Sequence, residues 1–276
     1  MPIAQETLEE SGSASKSSSA SATLMTKWAN AAERMPAQSK FLNVEKLPDV
    51  IILANLTAVL ATSTACSLAL LNVLSHPEGC KVIDDIRREA HQLFQNGISA
   101  DSLDAMRVTD SVCRESLRLE NGDLVGTRGV VVQPIETHDG ILLQPGTIVT
   151  LPAEGIHRDA AIYPEDALNF DPYRFCGTTP RSSYKEELAH DISERYLAFG
   201  IGPHACPGRW FATAMTKLTL ATFLRDYDIQ LLEKPWQAGG RLGGFLVPPM
   251  RQQIVVRRRK AVSFDMRDKS VQAAPG

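Results

Sequence analysis

A glycine-rich loop that ends in a single cysteine constrains this chain more than any other feature of its sequence. The loop runs from Phe199 to Gly208 and reads Phe-Gly-Ile-Gly-Pro-His-Ala-Cys-Pro-Gly, with a small residue, Ala212, four positions further on. The pattern predicts that Cys206 lies in the first turn of a helix, where unpaired amides and the helix dipole favour its thiolate. Gly202 and Gly208 carry no Cβ, so the backbone can approach a flat group closely. The loop therefore predicts a metal ligand or a nucleophile.

The other cysteines indicate neither a disulfide scaffold nor a zinc site. The chain has five cysteines in 276 residues, an odd number with no CxxC pair, and 43% of its residues are hydrophobic. This usage is typical of a reducing, intracellular compartment. The formal net charge of −3 at pH 7 argues against nucleic acid as a partner, because phosphate binding requires an excess of Lys and Arg.

The N-terminal region is predicted to be a disordered leader, followed further on by one long helix. Residues 1–24 are rich in serine and poor in large apolar groups, so burial cannot repay the entropy cost of ordering them. The apolar stretch 50–74 contains seven Asn, Thr and Ser residues, which favours a long buried helix at about 48–75 over a membrane span. No segment resembles a cleavable signal peptide. We therefore expect an intracellular protein without a membrane anchor in this chain.

The remainder is predicted to be mainly α-helical with small antiparallel β-sheets. Helices are expected at 78–94, at 102–119 and from near residue 206 to 225. Short β-branched runs separated by Gly and Pro predict a small sheet within 125–151 and a terminal hairpin from 228–232 and 244–257. The passage 152–205 is expected to be mostly irregular, and residues 261–276 are expected to form a flexible tail.

Two charged motifs lie upstream of the cysteine loop. Glu115 and Arg118 form an ExxR pattern on a predicted helix, where side chains three residues apart share a face and can pair. Arg174 lies in the later string Phe-Asp-Pro-Tyr-Arg-Phe at 170–175. An ExxR pattern by itself is most often an exposed ion pair that contributes about 0–1 kcal/mol.

Taken in this order, the three motifs resemble those of the cytochrome P-450 superfamily, in particular its fungal-type haem-thiolate monooxygenases. The cysteine loop matches the family pattern FxxGxxxCxG. The resemblance covers roughly residues 45–260 and implies the C-terminal part of the cytochrome P-450 fold. We therefore expect a truncated haem-binding domain at 25–260, with the N-terminal half of the fold missing from this sequence.

The resemblance also implies a cofactor, haem b (iron protoporphyrin IX), and a role for the residues of the loop. Cys206 would be the axial ligand of the iron, and Phe199 would lie beside it. Gly202 and Gly208 would leave room for the porphyrin, and His204 would donate a hydrogen bond to a propionate.

The motifs outside the loop receive roles from the same resemblance. Arg128 would be a second contact to a propionate, with simple solvent exposure as the alternative. Glu115, Arg118 and Arg174 would form a buried network that holds the cysteine loop in place. Breaking such a network typically costs a few kcal/mol, because a charge is left buried without its partner.

The long helix departs from the family pattern. The acid–threonine pair that relays protons in the family should fall at positions 60 and 61, where this chain has Leu60 and Ala61. Thr57 and Thr64 lie near the same helix face as position 61, so each is a candidate relay hydroxyl. The alternative is that these threonines bond back to the preceding turn or simply pack.

Three functional hypotheses follow from the resemblance. The first is a monooxygenase of fungal secondary metabolism that oxidises a lipophilic small molecule with electrons from an NADPH-cytochrome reductase. The second is a haem-thiolate isomerase or dehydratase, which needs no proton relay. The third is a truncated fragment without catalytic activity. Family members are usually anchored in the endoplasmic-reticulum membrane.

Overall fold

The computed structural model describes residues 47–120, 126–164, 166–177, 187–233, 236, 240–242, 245–246 and 251–259. The leader expected at 1–24 and the tail expected at 261–276 lie outside the described residues, as does the first part of the predicted haem-binding domain, residues 25–46.

Helices dominate the described part of the chain. They are α1 (Leu47–Ser75), α2 (Gly79–Asn96), α3 (Ala100–Asp104), α4 (Arg107–Leu119), α5 (Ala153–His157) and α6 (Arg209–Asp226), with a 3-10 turn at Gly202–His204. The helix expected at 102–119 is divided into α3 and α4, because Ser99 caps the first and a separate carboxylate caps the second.

The strands of the described residues are short and pair in twos. They are β1 (Gly126–Val130), β2 (Ile135–Glu136), β3 (Leu142–Leu143), β4 (Ile148–Leu151), β5 (Tyr227–Leu231), β6 (Arg241–Leu242), β7 (Phe245–Leu246) and β8 (Ile254–Arg258). The antiparallel pairs are β1–β4, β2–β3, β5–β8 and β6–β7. In the β5–β8 pair, Tyr227 faces Arg258 and Leu231 faces Ile254, which is the predicted terminal hairpin. The predicted class, mainly α with small antiparallel sheets, is confirmed.

The core is built where α2, α4 and α6 pack against one another. On α2 the buried side chains are Val82, Ile86, Ala90 and Leu93, a spacing that places them on one helix face. On α6, Leu220 and Leu224 meet that face, and Ile229 and Leu231 of β5 close the same cluster. Helix α4 lies in the middle and is buried almost all round, although many of its residues are polar.

Glu89 of α2 caps the first turn of α4. Its carboxylate accepts hydrogen bonds from the amides of Val108 and Thr109 at 2.7 and 2.9 Å and from the Thr109 hydroxyl at 2.6 Å. Burial raises the pKa of the Glu89 carboxyl, and these hydrogen bonds act in the opposite direction. The cap fixes the start of α4 against α2 and so helps to place the charged residues further along α4.

Helix α1 has the predicted extent but not the predicted burial. Leu68, Leu71 and Leu74 belong to the buried side chains near its C-terminal end, whereas Ile52 and Val59 are each 65% exposed. Among the described residues, the expected burial is therefore found near the C-terminal end of α1 and not at Ile52 and Val59. Among the described residues, α1 is the one helix with sufficient length and apolar composition to cross a membrane, and burial does not exclude such a span.

Candidate functional site

The cysteine loop is held closed by its own backbone. The Cys206 amide donates to the Phe199 carbonyl at 2.8 Å, and the Ala205 amide donates to the Gly202 carbonyl at 3.1 Å. Gly200 and Gly202 have φ angles of 73° and 71°, in the left-handed region where glycine is favoured. These turns bring the two ends of the loop together directly before α6.

The position of Cys206 relative to α6 differs slightly from the prediction. Helix α6 begins at Arg209, with Gly208 as its N-cap residue, so Cys206 lies in the turn that leads into the helix and not in its first turn. The Cys206 carbonyl accepts a hydrogen bond from the Arg209 side chain at 2.9 Å. Local sequence patterns leave helix ends uncertain by a residue or two, because terminal turns lack a full set of backbone hydrogen bonds.

The thiol of Cys206 is free and exposed. A Cβ added at Gly208 would lie 3.9 Å from Sγ, and one added at Gly202 would meet nothing within 4 Å. Space is therefore open at Gly202. Phe199 is half-buried, and His204 is exposed within the 3-10 turn.

Arg128 lies at a distance along the chain, on β1. It is exposed and is paired in register with Thr150 of β4. Its side chain is thus exposed on a two-stranded sheet.

The second group of predicted residues meets in the interior. Glu115 accepts from Arg118 through two hydrogen bonds, of 2.7 Å from Nε and 2.8 Å from Nη2, and from Arg174 Nε at 3.1 Å. The side chains are at most 2% exposed. The backbone amide of Asp171 also donates to Glu115 at 3.1 Å. One carboxylate therefore fixes two guanidinium groups and the backbone of the 170–175 string.

The two arginines use their remaining donors on backbone carbonyls. Arg118 donates to Ala167 at 2.7 Å and also to His157, and Arg174 donates to Asp166 at 3.1 Å. Hydrogen bonds from charged donors are stronger than those between neutral groups. The irregular passage after α5 is thus ordered by side chains in place of a β-ladder or a helix.

His157 connects this network to the cysteine loop, a role that the sequence analysis missed. Its Nδ1 lies 3.0 Å from the Arg118 carbonyl, and its Nε2 accepts from the Leu197 amide at 2.7 Å. These two partners require a neutral ring that is protonated on Nδ1. Burial, together with the nearby arginines, lowers the pKa of His157 to about 4. The ring is stacked on Tyr196, with centroids 5.5 Å apart.

Arg114 is a second residue that the sequence analysis did not identify. It donates to the Leu188 carbonyl at 2.5 Å and to the Asp191 carbonyl at 3.1 Å, and it forms an ion pair with Glu187. Its guanidinium lies 3.9 Å from the ring centroid of Tyr196. The passage that precedes the cysteine loop is therefore attached to α4. The only local signal was a further charged residue in α4, one position before Glu115.

The two candidate relay threonines have different surroundings. The Thr57 hydroxyl lies 3.0 Å from the carbonyls of both Leu53 and Ala54 and so bonds back to the preceding turn. Thr64 is half-buried, and within the described part of the chain no side-chain hydrogen bond is formed by its hydroxyl. Thr64 therefore has the hydroxyl that is available to another donor or acceptor.

Known proteins resemble this chain in sequence and fold. The family model for cytochrome P450 matches residues 4–256. The cytochrome P450 monooxygenase prhD of Penicillium brasilianum is 33% identical over 217 residues, which cover 77% of this chain and 42% of that protein. The cytochrome P450 monooxygenase fumoB of Cordyceps fumosorosea is 34% identical, covering 78% of this chain and 42% of that protein.

A solved structure, the retinoic acid-bound cyanobacterial CYP120A1, matches with a TM-score of 0.67 at 19% identity. The match covers 94% of this chain and 55% of that one, and at this identity it shows the fold. The fold is that of the cytochrome P450 family, and the chain belongs to this family. It spans about two fifths of the length of the curated relatives given above.

Membership of the family implies haem b, and the residues present fit that group. Among the described residues no cluster of three or more His, Cys, Asp and Glu side chains could hold a bare metal ion. The exposed thiol of Cys206 suits haem, because the porphyrin itself would hold the iron and the protein would need to supply only one ligand. The open space beside Gly202 is consistent with a flat group above the loop.

Substitution of Glu115 by alanine is expected to lower the free energy of unfolding by about 3–5 kcal/mol, because two buried guanidinium groups lose their common counter-charge. The measurement is equilibrium denaturation. Asp84→Ala is the matched control, since Asp84 is also paired with an arginine three residues later but is 69% exposed. The control is expected to change stability by less than about 1 kcal/mol. Equal losses in the two variants would contradict a special role for the buried network.

The neutral state of His157 predicts a particular dependence of stability on pH. Its pKa is lower in the folded protein than in the unfolded chain, so between about pH 6.5 and 4 the unfolded chain binds more protons. Stability should therefore fall by about 3 kcal/mol, from this residue, as the pH drops through that window.

His157→Gln keeps a donor and an acceptor but does not titrate, so its unfolding free energy should depend less on pH than that of the parent. The fully exposed His138 offers a matched control, and His138→Gln should follow the parent curve. The quantity compared is the unfolding free energy from denaturant titrations at several pH values. Parallel curves for the parent and His157→Gln would show that His157 does not carry the effect.

Proposed function

We propose that this chain forms the haem-binding part of a haem-thiolate monooxygenase that oxidises a lipophilic small molecule in fungal secondary metabolism. The observation that carries the proposal is the free, exposed thiol of Cys206 at the end of a closed glycine-rich loop, directly before α6. The fungal relatives that support it are themselves named monooxygenases. The electron donor would be an NADPH-cytochrome reductase.

Within this proposal each residue of the loop has its own role in binding haem. Cys206 would hold the iron as a thiolate, Phe199 would shield the sulfur, and Gly202 and Gly208 would let the backbone lie close to the porphyrin. His204 and Arg128 would neutralise the propionates, which both can do as exposed donors. When bound, the haem supplies activation of dioxygen for insertion of one oxygen atom into a C–H bond of the substrate.

Delivery of protons would fall to the long helix. Leu60 and Ala61 cannot donate a proton or orient a water, so a nearby hydroxyl has to take that role. Of the two candidates we favour Thr64, because the Thr57 hydroxyl is engaged with the preceding turn. Thr64 could hold a water or pass a proton at its Oγ1 atom.

A second candidate function is an isomerase or dehydratase reaction of the haem-thiolate class. The observation in its favour is the replacement of the acid–threonine pair by Leu60 and Ala61. Such a reaction consumes neither dioxygen nor protons from a relay. It would therefore yield product without NADPH, which distinguishes it from the monooxygenase.

Cys206→Ser is expected to abolish the thiolate-type Soret band in the carbon monoxide difference spectrum of the ferrous protein, because a serine hydroxyl is a poor ligand for this iron. The matched control is Cys80→Ser, which changes another free and exposed cysteine and should leave the band unchanged. A thiolate-type band that survives in Cys206→Ser would assign the ligand to another cysteine. Failure of the parent chain itself to take up haem would overturn the proposal for this chain.

Thr64→Val is expected to divert electrons from product to hydrogen peroxide, because it removes the favoured relay hydroxyl with almost no change in shape. Thr57→Val is the control and should remain coupled. The ratio of peroxide formed to NADPH oxidised would be measured with the reductase and a lipophilic compound that accelerates NADPH oxidation. Full coupling in both variants would contradict the substitute relay, and product formed without NADPH would favour the isomerase.

A further inference from the structure

A buried charge on α6 is not explained by the binding of haem. The side chain of Lys217 is 1% exposed, and its ammonium donates to Asp110 of α4 at 2.8 Å and to Asp104 of α3 at 3.0 Å. Asp110 is itself 2% exposed, whereas Asp104 is 40% exposed. Burial acts to lower the pKa of Lys217, but the two carboxylates outweigh it and the pKa lies above its usual value. Lys217 is therefore charged inside the protein.

The Asp110 carboxylate has a second partner on a different segment. Its Oδ2 accepts a hydrogen bond from the Ala189 amide at 2.8 Å, while Oδ1 accepts from Lys217. Ala189 is fully buried and lies in the passage that leads into the cysteine loop. Lys217 lies in the helix that leaves the loop, two to three turns after its first residue, Arg209. One carboxylate thus binds the chain on both sides of Cys206.

From this geometry we infer that Asp110 and Lys217 are a positioning pair that holds the two flanks of the 199–208 loop and thereby sets the place of the Cys206 thiol. Neither residue is a catalytic residue, because each acts through backbone and helix and not on the iron. The inference rests on the proposed function where it concerns the iron. The restraint on the loop is a property of the polypeptide and can be tested without haem.

The energetics distinguish positioning from simple stabilisation. Charges are costly to bury, and a buried ion pair often contributes little more stability than neutral residues of similar volume. A neutral pair made by Asp110→Asn together with Lys217→Met should therefore recover much of the stability that Lys217→Met alone loses. The asparagine Oδ1 can still accept from Ala189, but nothing links it to α6. Stability can then return while the restraint on α6 does not.

The first test measures amide hydrogen exchange of residues 187–206 in the haem-free protein. Lys217→Met should raise the rate of amide exchange in this segment by about tenfold or more. The reason is that loss of a buried charged contact lowers the free energy of local opening. The double variant should keep the faster exchange even if its stability returns to that of the parent. Unchanged exchange in both variants would overturn the inference, whether or not the chain takes up haem.

The second test is the carbon monoxide spectrum after addition of haem. Lys217→Met and the double variant should show a smaller share of the thiolate-type band than the parent, and the loss should not follow their stability. Arg225→Met is the matched control, since Arg225 lies on the same helix but has its ion-pair partner at the adjacent residue, Asp226. A thiolate share equal to that of the parent, or an equal loss in Arg225→Met, would contradict positioning by the pair.

Discussion

A carboxylate that is shielded from water is stable only when cations and amide donors take the place of its hydration shell, and Glu115 is in that situation. Two guanidinium groups and one backbone amide bind it at 2.7–3.1 Å, in a region where the side chains are almost fully buried. Removal of any partner would leave charge in the interior, so the three charged residues are required together. The order of the irregular passage after α5 depends on this group.

Helix α4 extends that principle along its length. Asp110 binds Lys217 and the Ala189 amide. Arg114 binds carbonyls of the passage before the loop. The Arg118 carbonyl is bonded to the His157 ring, which also accepts a hydrogen bond from the Leu197 amide. Each contact reaches toward the chain that delivers Cys206. An apolar helix could supply the same burial, but it would not specify the partner or register, because hydrophobic contacts have no direction. The polar residues of α4 give the loop a defined position.

The Cys206 thiol and several apolar side chains of α1 are exposed among the described residues. The chain spans about two fifths of the curated relatives and about half of the solved structure whose fold it shares. In the described residues the core involves only the last turns of α1. The side chains of α4 that bind the chain around the cysteine loop are nevertheless buried.

Features that depend on neighbouring residues along the chain follow from the sequence alone. The cysteine loop, the ExxR pair on α4, the helical spacing of α2 and the short strands can be predicted because turns and helix faces follow from residues a few positions apart. The family resemblance extended this to Arg174, which lies 59 residues from its partner Glu115. The start of α6 was misplaced by a few residues, since helix ends depend on local backbone bonds that the pattern does not encode.

The burial of side chains and the contacts between distant groups were set by the folded structure. It exposed the first part of α1, and it joined His157 to Leu197 and Lys217 to Asp110. The last pair is separated by 107 residues, so no periodic pattern connects them. Burial and the pKa of a side chain are set by everything that surrounds it in space, and that information exists only after the chain has folded.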